Sequence, residues 1–324
     1  MRVLVVGSHK WWRMESGVER ALRRAGHTTL LLDDRRLKQR IGRRLTQHWV
    51  RRAARAFGAD FVFLGKCLGL THETVAELVR GKRSAMWNLD APSFRIVDRA
   101  DVAHTVGAAK LVDVFHISGF EDEYRKLGLN AMFLPAAADR EIVPIPARPE
   151  FAAQIVFTGA GYDEGRARFL VALSRRFHVK VWGLKWEPWQ DQLDWGGRQV
   201  VEQEFAAACS SSALSLGLLP AIADGATNYA SNRMWTTALG GGFYLGQGSP
   251  GADQLLLDGV HCAWFTDLDS CIARAEHYLG APAERERVRV AGEAFVRRHH
   301  TFDERITHIL ASTEWRNPLQ TGGP

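Results

Sequence analysis

Twice along this chain, a short apolar run that ends in glycine opens an alternating series of predicted strands and helices. The first series begins with Arg2-Val-Leu-Val-Val-Gly7, and the second with residues 153–158 followed by Gly159. Continuous apolar runs of this kind are typical of strands buried on both faces of a parallel sheet. Because the strands alternate with helices, the sequence predicts two successive α/β units.

A proline-rich segment separates the two series. Its prolines are Pro135, Pro144, Pro146 and Pro149. Such a density predicts an extended linker and a domain boundary. The chain has 324 residues, which is enough for two cores, since a single core usually stops growing near about 250–300 residues.

Several classes of protein are excluded by patterns that the sequence lacks. The four cysteines form no Cys-x-x-Cys pair and no zinc-ligand spacing. Gly-x-Gly-x-x-Gly is absent, so we predict no NAD site. No apolar run approaches the ~18 residues of a membrane helix, and the first strand is too short for a signal peptide. We therefore expect a cytoplasmic protein with reduced thiols, no membrane span and no bound metal.

A strongly basic stretch follows the second predicted strand. Residues 35–55 contain nine Lys or Arg and no Asp or Glu. Apolar residues recur there every four positions, at Leu37, Ile41, Leu45, Trp49, Ala53 and Phe57. A second row, one position away, consists of Arg36, Arg40, Arg44, His48 and Arg52. The pattern predicts an amphipathic helix with a buried apolar stripe and cations along its edge.

That row of cations has two interpretations. It could be a solubilising face, but solvated helices usually mix both signs of charge. A phosphate backbone or a polyanionic glycan would suit it. We therefore predict acceptor contacts from His9, Arg36, Arg40, Arg44 and Arg52.

Polar residues also follow predicted strands in the first series. Asp90, in Trp87-Asn-Leu-Asp90-Ala-Pro92, follows the strand at 84–87. Ligands gather at the carboxyl ends of strands in open α/β sheets, so Asp90 is our candidate general base. The alternative is a cap for a helix beginning near Ser93. Further strands are predicted at 101–105 and 112–117, and His116 of the second is a candidate acceptor contact or a structural histidine.

The second series offers candidates for binding a nucleotide. Gly159 and Gly161 would let a ligand approach the backbone closely, and Arg166 lies in the following helix. Gly183 ends the strand at 179–182. Around it lie three tryptophans, Trp182, Trp186 and Trp189. They could provide a flat surface for a nucleobase, although core filling is the commoner role of tryptophan.

The stretch at 228–242 predicts an anion site. A polar loop ending at Asn232 opens a short helix, with Arg233 in its first turn, and Gly240 to Gly242 close it. A helix start offers unpaired backbone N–H groups and a positive dipole end, and an arginine adds a fork of donors. The site would suit a diphosphate. The alternative is an ordinary helix with a solvated arginine.

The order of these elements resembles a GT-B glycosyltransferase, in which two Rossmann-like α/β domains face each other across a cleft. More narrowly, the second half resembles the glycosyltransferase-1-like proteins of the spore-maturation CgeB group. The matching pieces are 155–159 with Arg166, Asn232-Arg233 through Leu239-Gly240, 257–259 with 264–267, and His300-Thr301 with Arg305. In the first half they are 87–92, Asp101 and 124–128. The resemblance implies an acceptor domain over 1–140 and a nucleotide-sugar domain over 150–300, with a helix at about 300–315 packing back on the first.

The resemblance also implies roles for individual residues. A UDP-sugar would be the co-substrate, with no other cofactor and no metal. Arg233, at the arginine of the family's Arg-x-x-Glu motif, would contact the diphosphate beside Asn232, and Gly159 and Arg166 would do so from the other side. Thr236 stands where many relatives carry the Glu that grips the ribose. This departure leaves room for an altered donor or for a non-catalytic protein that binds nucleotide sugars.

Phage DNA glycosyltransferases share this plan and modify hydroxymethylated bases that are flipped from the duplex. We therefore predict a modified base in DNA as the acceptor, with Asp90 activating its hydroxyl if the reaction inverts. A cell-surface polysaccharide and a small metabolite are the alternatives.

Overall fold

The computed structural model describes residues 1–92, 99–219 and 227–320. The chain divides into two compact units. The first consists of Met1–Asp139 with Phe302–Arg316, and the second of Arg140–Thr301 with the segment from Asn317 onward. Each unit is built around a parallel sheet of its own.

The first unit holds a six-stranded sheet. Its strands are β1 (Arg2–Val6), β2 (Thr28–Leu32), β3 (Phe61–Leu64), β4 (Arg83–Asn88), β5 (Val114–Ile117) and β6 (Ala131–Phe133). They lie in the order β2-β1-β3-β4-β5-β6, and each pairing is parallel. The order reverses between β1 and β3, which is where open sheets of this type bind ligands.

Helices connect these strands. They are α1 (Met14–Arg24), α2 (Asp34–Phe57), α3 (His72–Val79), α4 (Arg99–Ala109) and α5 (Glu121–Lys126). The predicted strand at 101–105 is wrong, because these residues lie in α4. Its buried residues, Thr105, Ala108 and Ala109, have helical spacing, and the parallel neighbours β4 and β5 need a crossover connection between them.

The second unit holds another six-stranded parallel sheet. Its strands are β7 (Ala153–Thr158), β8 (Val179–Trp182), β9 (Asp194–Trp195), β10 (Ser212–Gly217), β11 (Tyr244–Gln247) and β12 (Ala263–Phe265), in the order β12-β11-β10-β7-β8-β9. Its helices are α6 (Glu164–Ser174), α7 (Gln203–Ser210), α8 (Asn232–Leu239), α9 (Leu268–Gly280) and α10 (Pro282–His299). This is the strand order of dinucleotide-binding Rossmann folds, with its reversal between β7 and β10.

The last helix, α11 (Phe302–Ala311), belongs to the first unit. Phe302 packs so tightly on α1 that a Cβ at Gly17 would lie 2.2 Å from its ring. Arg305 is fully buried, and its Nε donates to the Pro135 carbonyl at 2.8 Å. Burial lowers the pKa of Arg305 to about 9. The beginning of the proline-rich segment is therefore held by α11 through hydrogen bonds.

The predicted burial of α2 is wrong. Its apolar residues Ile41, Leu45 and Trp49 are exposed by 37%, 62% and 44%, whereas the residues it buries beyond its first turn are Thr46, Gln47 and Val50. Gly42 has φ 76° and interrupts the helix, so the four-residue repeat does not follow one continuous face.

Polar contacts attach α2 to the first unit. Gln47 donates to the Gly69 carbonyl at 2.9 Å and accepts from the Thr71 N–H at 2.9 Å. The Asp34 carboxylate accepts from the Gly69 N–H at 2.6 Å. These bonds explain why polar residues, rather than the apolar repeat, face inward.

Among the described residues, no helix combines the length and the apolar composition that crossing a bilayer requires. In the same residues, no cluster of three His, Cys, Asp or Glu side chains is arranged to hold a metal ion. The four cysteines are buried and unbridged.

Candidate functional site

The predicted donor residues of the second unit gather where its strand order reverses. Gly159 follows β7, Arg166 lies in the first turn of α6, and Asn232 and Arg233 open α8, which precedes β11. A Cβ at Gly159 would lie 2.6 Å from Nη2 of Arg233. The absence of a side chain at Gly159 is therefore what lets this guanidinium lie against the end of β7.

Two guanidinium groups lie near the same aromatic ring at this place. Cζ of Arg233 lies 4.8 Å from the centroid of Phe157, and Cζ of Arg166 lies 5.5 Å from it. Arg166 is buried and donates to the carbonyls of Ala160, at 3.3 Å, and Leu218, at 3.2 Å. Its Nε has no partner among the described residues.

Among the residues that the structure describes, no carboxylate balances the charge of this pair. Within the described residues, neither arginine forms an ion pair with a carboxylate. Burial and, next, the charge of Arg166 lower the pKa of Arg233 to about 10. Like charges out of water and without a counter-ion are unfavourable, so the site is arranged to receive an anion.

The start of α8 adds donors to the same place. Ser231 at the N-cap makes no side-chain capping bond. In the described residues the Met234 N–H donates to the Ser231 carbonyl at 3.1 Å, which leaves the N–H groups of Asn232 and Arg233 to a ligand. Oδ1 of Asn232 is buried and has no partner in the described part of the chain. Thr236 donates its hydroxyl to the Asn232 carbonyl at 2.8 Å. The helix start thus offers an anion both backbone N–H groups and a positive dipole end.

The loops after β7 and β8 are in direct backbone contact. The Gly159 N–H donates to the Trp182 carbonyl at 2.8 Å. A Cβ at Gly183, where φ is +148°, would lie 1.9 Å from the Gly159 carbonyl oxygen. The glycines at both positions permit this approach, which holds the end of β7 in place below Arg233.

The prediction that Trp186 stacks on a nucleobase is wrong. Its ring is fully buried in the core of the second unit. Nε1 donates to the Gly159 carbonyl at 2.7 Å, and the ring meets Phe157 edge to face. Trp182 is also buried, against Phe151. Both rings fill the core of the second unit. Trp186 therefore positions Gly159 through its hydrogen bond and presents no face to a ligand.

For Trp186→Phe we expect a loss of about 2–4 kcal/mol in the free energy of unfolding, because the Gly159 carbonyl loses its donor and the smaller phenyl ring leaves part of the core unfilled. Chemical denaturation of the variant and the wild type measures this difference. Trp189→Phe, at a half-buried position in the same loop, is the control. An unfolding free energy that does not change in Trp186→Phe would contradict the positioning role.

Two exposed side chains near this site were missed by the sequence reasoning. Leu184, directly after Gly183, is 52% exposed, and Tyr162 is 43% exposed. The Leu184 carbonyl accepts from the Gly161 N–H at 2.9 Å. The ring centroid of Tyr162 lies 5.6 Å from Cζ of Arg166. An apolar residue between a strand-ending glycine and a lysine was the available signal for Leu184.

In the first unit, Asp90 lies just beyond β4 and is ion-paired with Lys66, which follows β3. The Asp90 carbonyl accepts from the Tyr124 hydroxyl at 2.9 Å. Both charged side chains are partly exposed, so the pair can meet a ligand. The alternative role of Asp90, capping a helix near Ser93, falls on residues outside the described ranges.

The predicted acceptor contacts do not form one group. The prediction for His116 is wrong, because its ring is fully buried on β5 and burial lowers its pKa to about 4. His9 follows β1 and contacts both Asp33 and Arg36. The remaining three, Arg40, Arg44 and Arg52, are exposed along α2, with Gly42 between the first and the others.

Comparison with known proteins identifies the fold. Residues 166–311 match the family described as Glycosyl transferase-like, which is just under half of the chain. No curated protein is similar enough in sequence to match.

Solved structures match over nearly the whole chain. The Anabaena protein HepE in complex with UDP-glucose has a TM-score of 0.66 and 11% identity, covering 96% of this chain and 100% of its own. An alpha-glucosyltransferase in complex with UDP-glucose and DNA containing an abasic site has a TM-score of 0.67 and 10% identity, covering 96% and 99%. Sucrose-phosphate synthase from Thermosynechococcus elongatus has a TM-score of 0.64 and 9% identity, covering 96% and 98%.

At such identities these matches establish the fold, and they confirm the predicted pair of Rossmann-like domains. The chain is thus a two-domain protein of the GT-B glycosyltransferase fold, whose residues 166–311 match the Glycosyl transferase-like family.

Proposed function

We propose that this protein is a glycosyltransferase that uses a UDP-sugar and binds its diphosphate at Arg166, Arg233 and the start of α8. The observation that carries the proposal is the pair of guanidiniums over the Phe157 ring, which have no carboxylate partner in the described part of the chain. They lie at the strand-order reversal of a Rossmann sheet, the usual place for a nucleotide. UDP is chosen because HepE and the alpha-glucosyltransferase were solved with UDP-glucose.

The chemistry follows from where charge develops. An acceptor hydroxyl forms a new bond to the anomeric carbon, the bond from that carbon to the diphosphate breaks, and UDP leaves with the bonding electron pair. Negative charge therefore grows on the diphosphate. Arg233, Arg166 and the N–H groups of α8 are already oriented toward it, which lowers the barrier without rearrangement. We propose that they supply this charge in place of a metal ion.

We place the nucleoside against side chains that neighbour the diphosphate site. Leu184 is exposed beside Gly183 and offers an apolar surface for the base. Thr236, one helical turn after Arg233, has its proton engaged by Asn232, so its oxygen can accept from a ribose hydroxyl. A neutral hydroxyl replaces the carboxylate of the family motif here, and a weaker grip on the ribose follows.

For the acceptor, we propose the first unit, with Asp90 as the base that takes the hydroxyl proton. Lys66 is ion-paired with the Asp90 carboxylate and fixes its position at the end of β4. A modified base in DNA is one candidate, because the alpha-glucosyltransferase was solved with DNA and the arginines of α2 are exposed. A cell-surface polysaccharide and a small metabolite are the other candidates.

Binding and turnover can be tested separately. We expect UDP and UDP-glucose to raise the melting temperature, and UMP, which lacks the second phosphate, to raise it much less. Slow release of UDP from UDP-glucose in the absence of acceptor would show turnover. Binding with no release from any UDP-sugar would favour a non-catalytic protein, and equal shifts with UMP and UDP would contradict the diphosphate site.

A further inference from the structure

The outward side of α2 carries apolar side chains that the fold does not use. Leu45 and Trp49 are one helical turn apart, and both are exposed. Thr46, Gln47 and Val50 of the same helix are buried. At about 100° per residue, Leu45 lies about 140° from Val50 and faces outward, whereas Trp49 lies about 100° from Val50, at the edge of the outward side. Ile41, 37% exposed, precedes them across Gly42.

Cations surround this apolar group. Arg52 shares the outward side with Leu45 and Trp49, and Arg44 and His48 flank it. Among the residues that the structure describes, Glu77 pairs with Arg51 and Arg55, whereas Arg40, Arg44 and Arg52 have no carboxylate partner. The surface is thus positively charged around an apolar centre.

We propose that this outward side of α2, defined by Ile41, Leu45, Trp49, Arg44 and Arg52, docks onto an anionic lipid bilayer. A helix that lies in a membrane interface places Leu and Trp at the boundary of the acyl chains, and Arg beside them at the head groups. The aliphatic stems of the arginines extend toward the lipid while their guanidiniums reach the phosphates. Each such cation strengthens binding to an anionic leaflet.

Two other partners fit less well. DNA phosphates are bound by cations and hydrogen-bond donors, and Ile41 and Leu45 have neither. A second copy of this chain, docked by the same surface, would bring two positively charged surfaces against each other. The combination of exposed aliphatic residues, an indole and unpaired cations favours lipid.

The surface exists before any partner binds. Gln47 and Asp34 attach α2 to the loop after β3, so its orientation does not depend on a ligand. The proposal rests on the first unit alone and requires nothing of the donor site. It favours the candidate acceptor found at a cell surface over the one in DNA.

Co-sedimentation with vesicles tests the proposal. The full chain is mixed with vesicles of phosphatidylcholine alone, and with vesicles that also contain phosphatidylglycerol. We expect pelleting with the second kind only, and less of it as salt increases. In the double variant Leu45→Gln/Trp49→Gln, and in Arg44→Gln/Arg52→Gln, we expect the partition coefficient to fall about tenfold or more.

Matched controls separate the surface from general effects. Val290→Gln removes an apolar side chain that is 48% exposed on α10. Arg125→Gln/Arg168→Gln removes two exposed cations that have acidic partners. We expect both to partition like the wild type. Unchanged melting temperatures would show that all variants fold.

Three results would overturn the proposal. The first is no pelleting with anionic vesicles at low salt. The second is pelleting that Leu45→Gln/Trp49→Gln leaves unchanged. The third is tighter binding to a DNA duplex than to vesicles, abolished by Arg44→Gln/Arg52→Gln alone, which would assign the surface to nucleic acid. None of these measurements uses a nucleotide sugar, so a failure here leaves the donor proposal standing.

Discussion

Replacing Arg233 by methionine is expected to weaken UDP binding strongly and, without ligand, to raise the melting temperature. The wild-type side chain is held beside Arg166 with no counter-ion in the described residues, and burial together with Arg166 lowers its pKa to about 10. The Arg233 guanidinium is charged at neutral pH, so this destabilisation is fully present there, and it is relieved only as the pH rises from the folded-state pKa toward the higher unfolded-state value. Removing one charge relieves it.

The two effects have opposite signs and different sizes. Loss of charge-assisted bonds to a diphosphate weakens binding of UDP by about 100-fold or more, which calorimetry measures. Relief of repulsion adds about 1–2 kcal/mol, or about 2–8 °C in melting temperature. Arg168→Met is the control, because Arg168 lies on α6, close to Arg166 in sequence, but is exposed and paired with Glu164. Unchanged UDP affinity in Arg233→Met would place the diphosphate elsewhere.

The parts of the fold that sequence predicted are those set by local pattern. The runs at β1 and β7 are apolar throughout and end at glycine, and a strand buried on both faces requires that composition. The helix start at Asn232 was predicted because a polar loop followed by a helical segment marks such a start. Neither inference needed to know which other element lies nearby.

Predictions failed where tertiary packing decided the outcome. The apolar repeat of α2 predicted a buried stripe, but Gln47 has two hydrogen-bond partners in the loop after β3, and they fix the other side inward. Gly42 also breaks the repeat geometrically. A four-residue period shows that a helix is amphipathic. It does not show whether the apolar side packs on the protein core or lies exposed at the surface.

Trp186 and His116 illustrate the same limit for side chains of the site. Both follow or end strands, where ligands gather, and a sequence cannot show whether such a side chain turns outward. The structure turns both inward. Conversely, the glycine before Leu184 and the lysine after it were a weak signal of exposure, and only the anchoring of the loop by Gly183 and Trp186 on either side shows that the Leu184 side chain lies outward.

The anchoring of that loop makes Gly183 the position where a single methyl group should do most damage. An alanine Cβ there would lie 1.9 Å from the Gly159 carbonyl oxygen, and both atoms belong to backbone segments that cannot rotate away as a side chain would. Separation of the loops would break the hydrogen bond from Trp186 to that oxygen. It would also move Gly159 from its place under Arg233.

For Gly183→Ala we therefore expect a loss of about 3 kcal/mol or more in the free energy of unfolding, or about 6–12 °C in melting temperature. UDP affinity should fall about tenfold or more in the fraction that folds, because the diphosphate site is displaced. Gly197→Ala is the matched control. Gly197 also has a positive φ, +72°, but has nothing within 4 Å of its Cβ position, so it should cost only about 1 kcal/mol of backbone strain and leave UDP binding intact. Equal losses in the two variants would mean that backbone conformation, rather than contact between the loops, is what requires glycine at position 183.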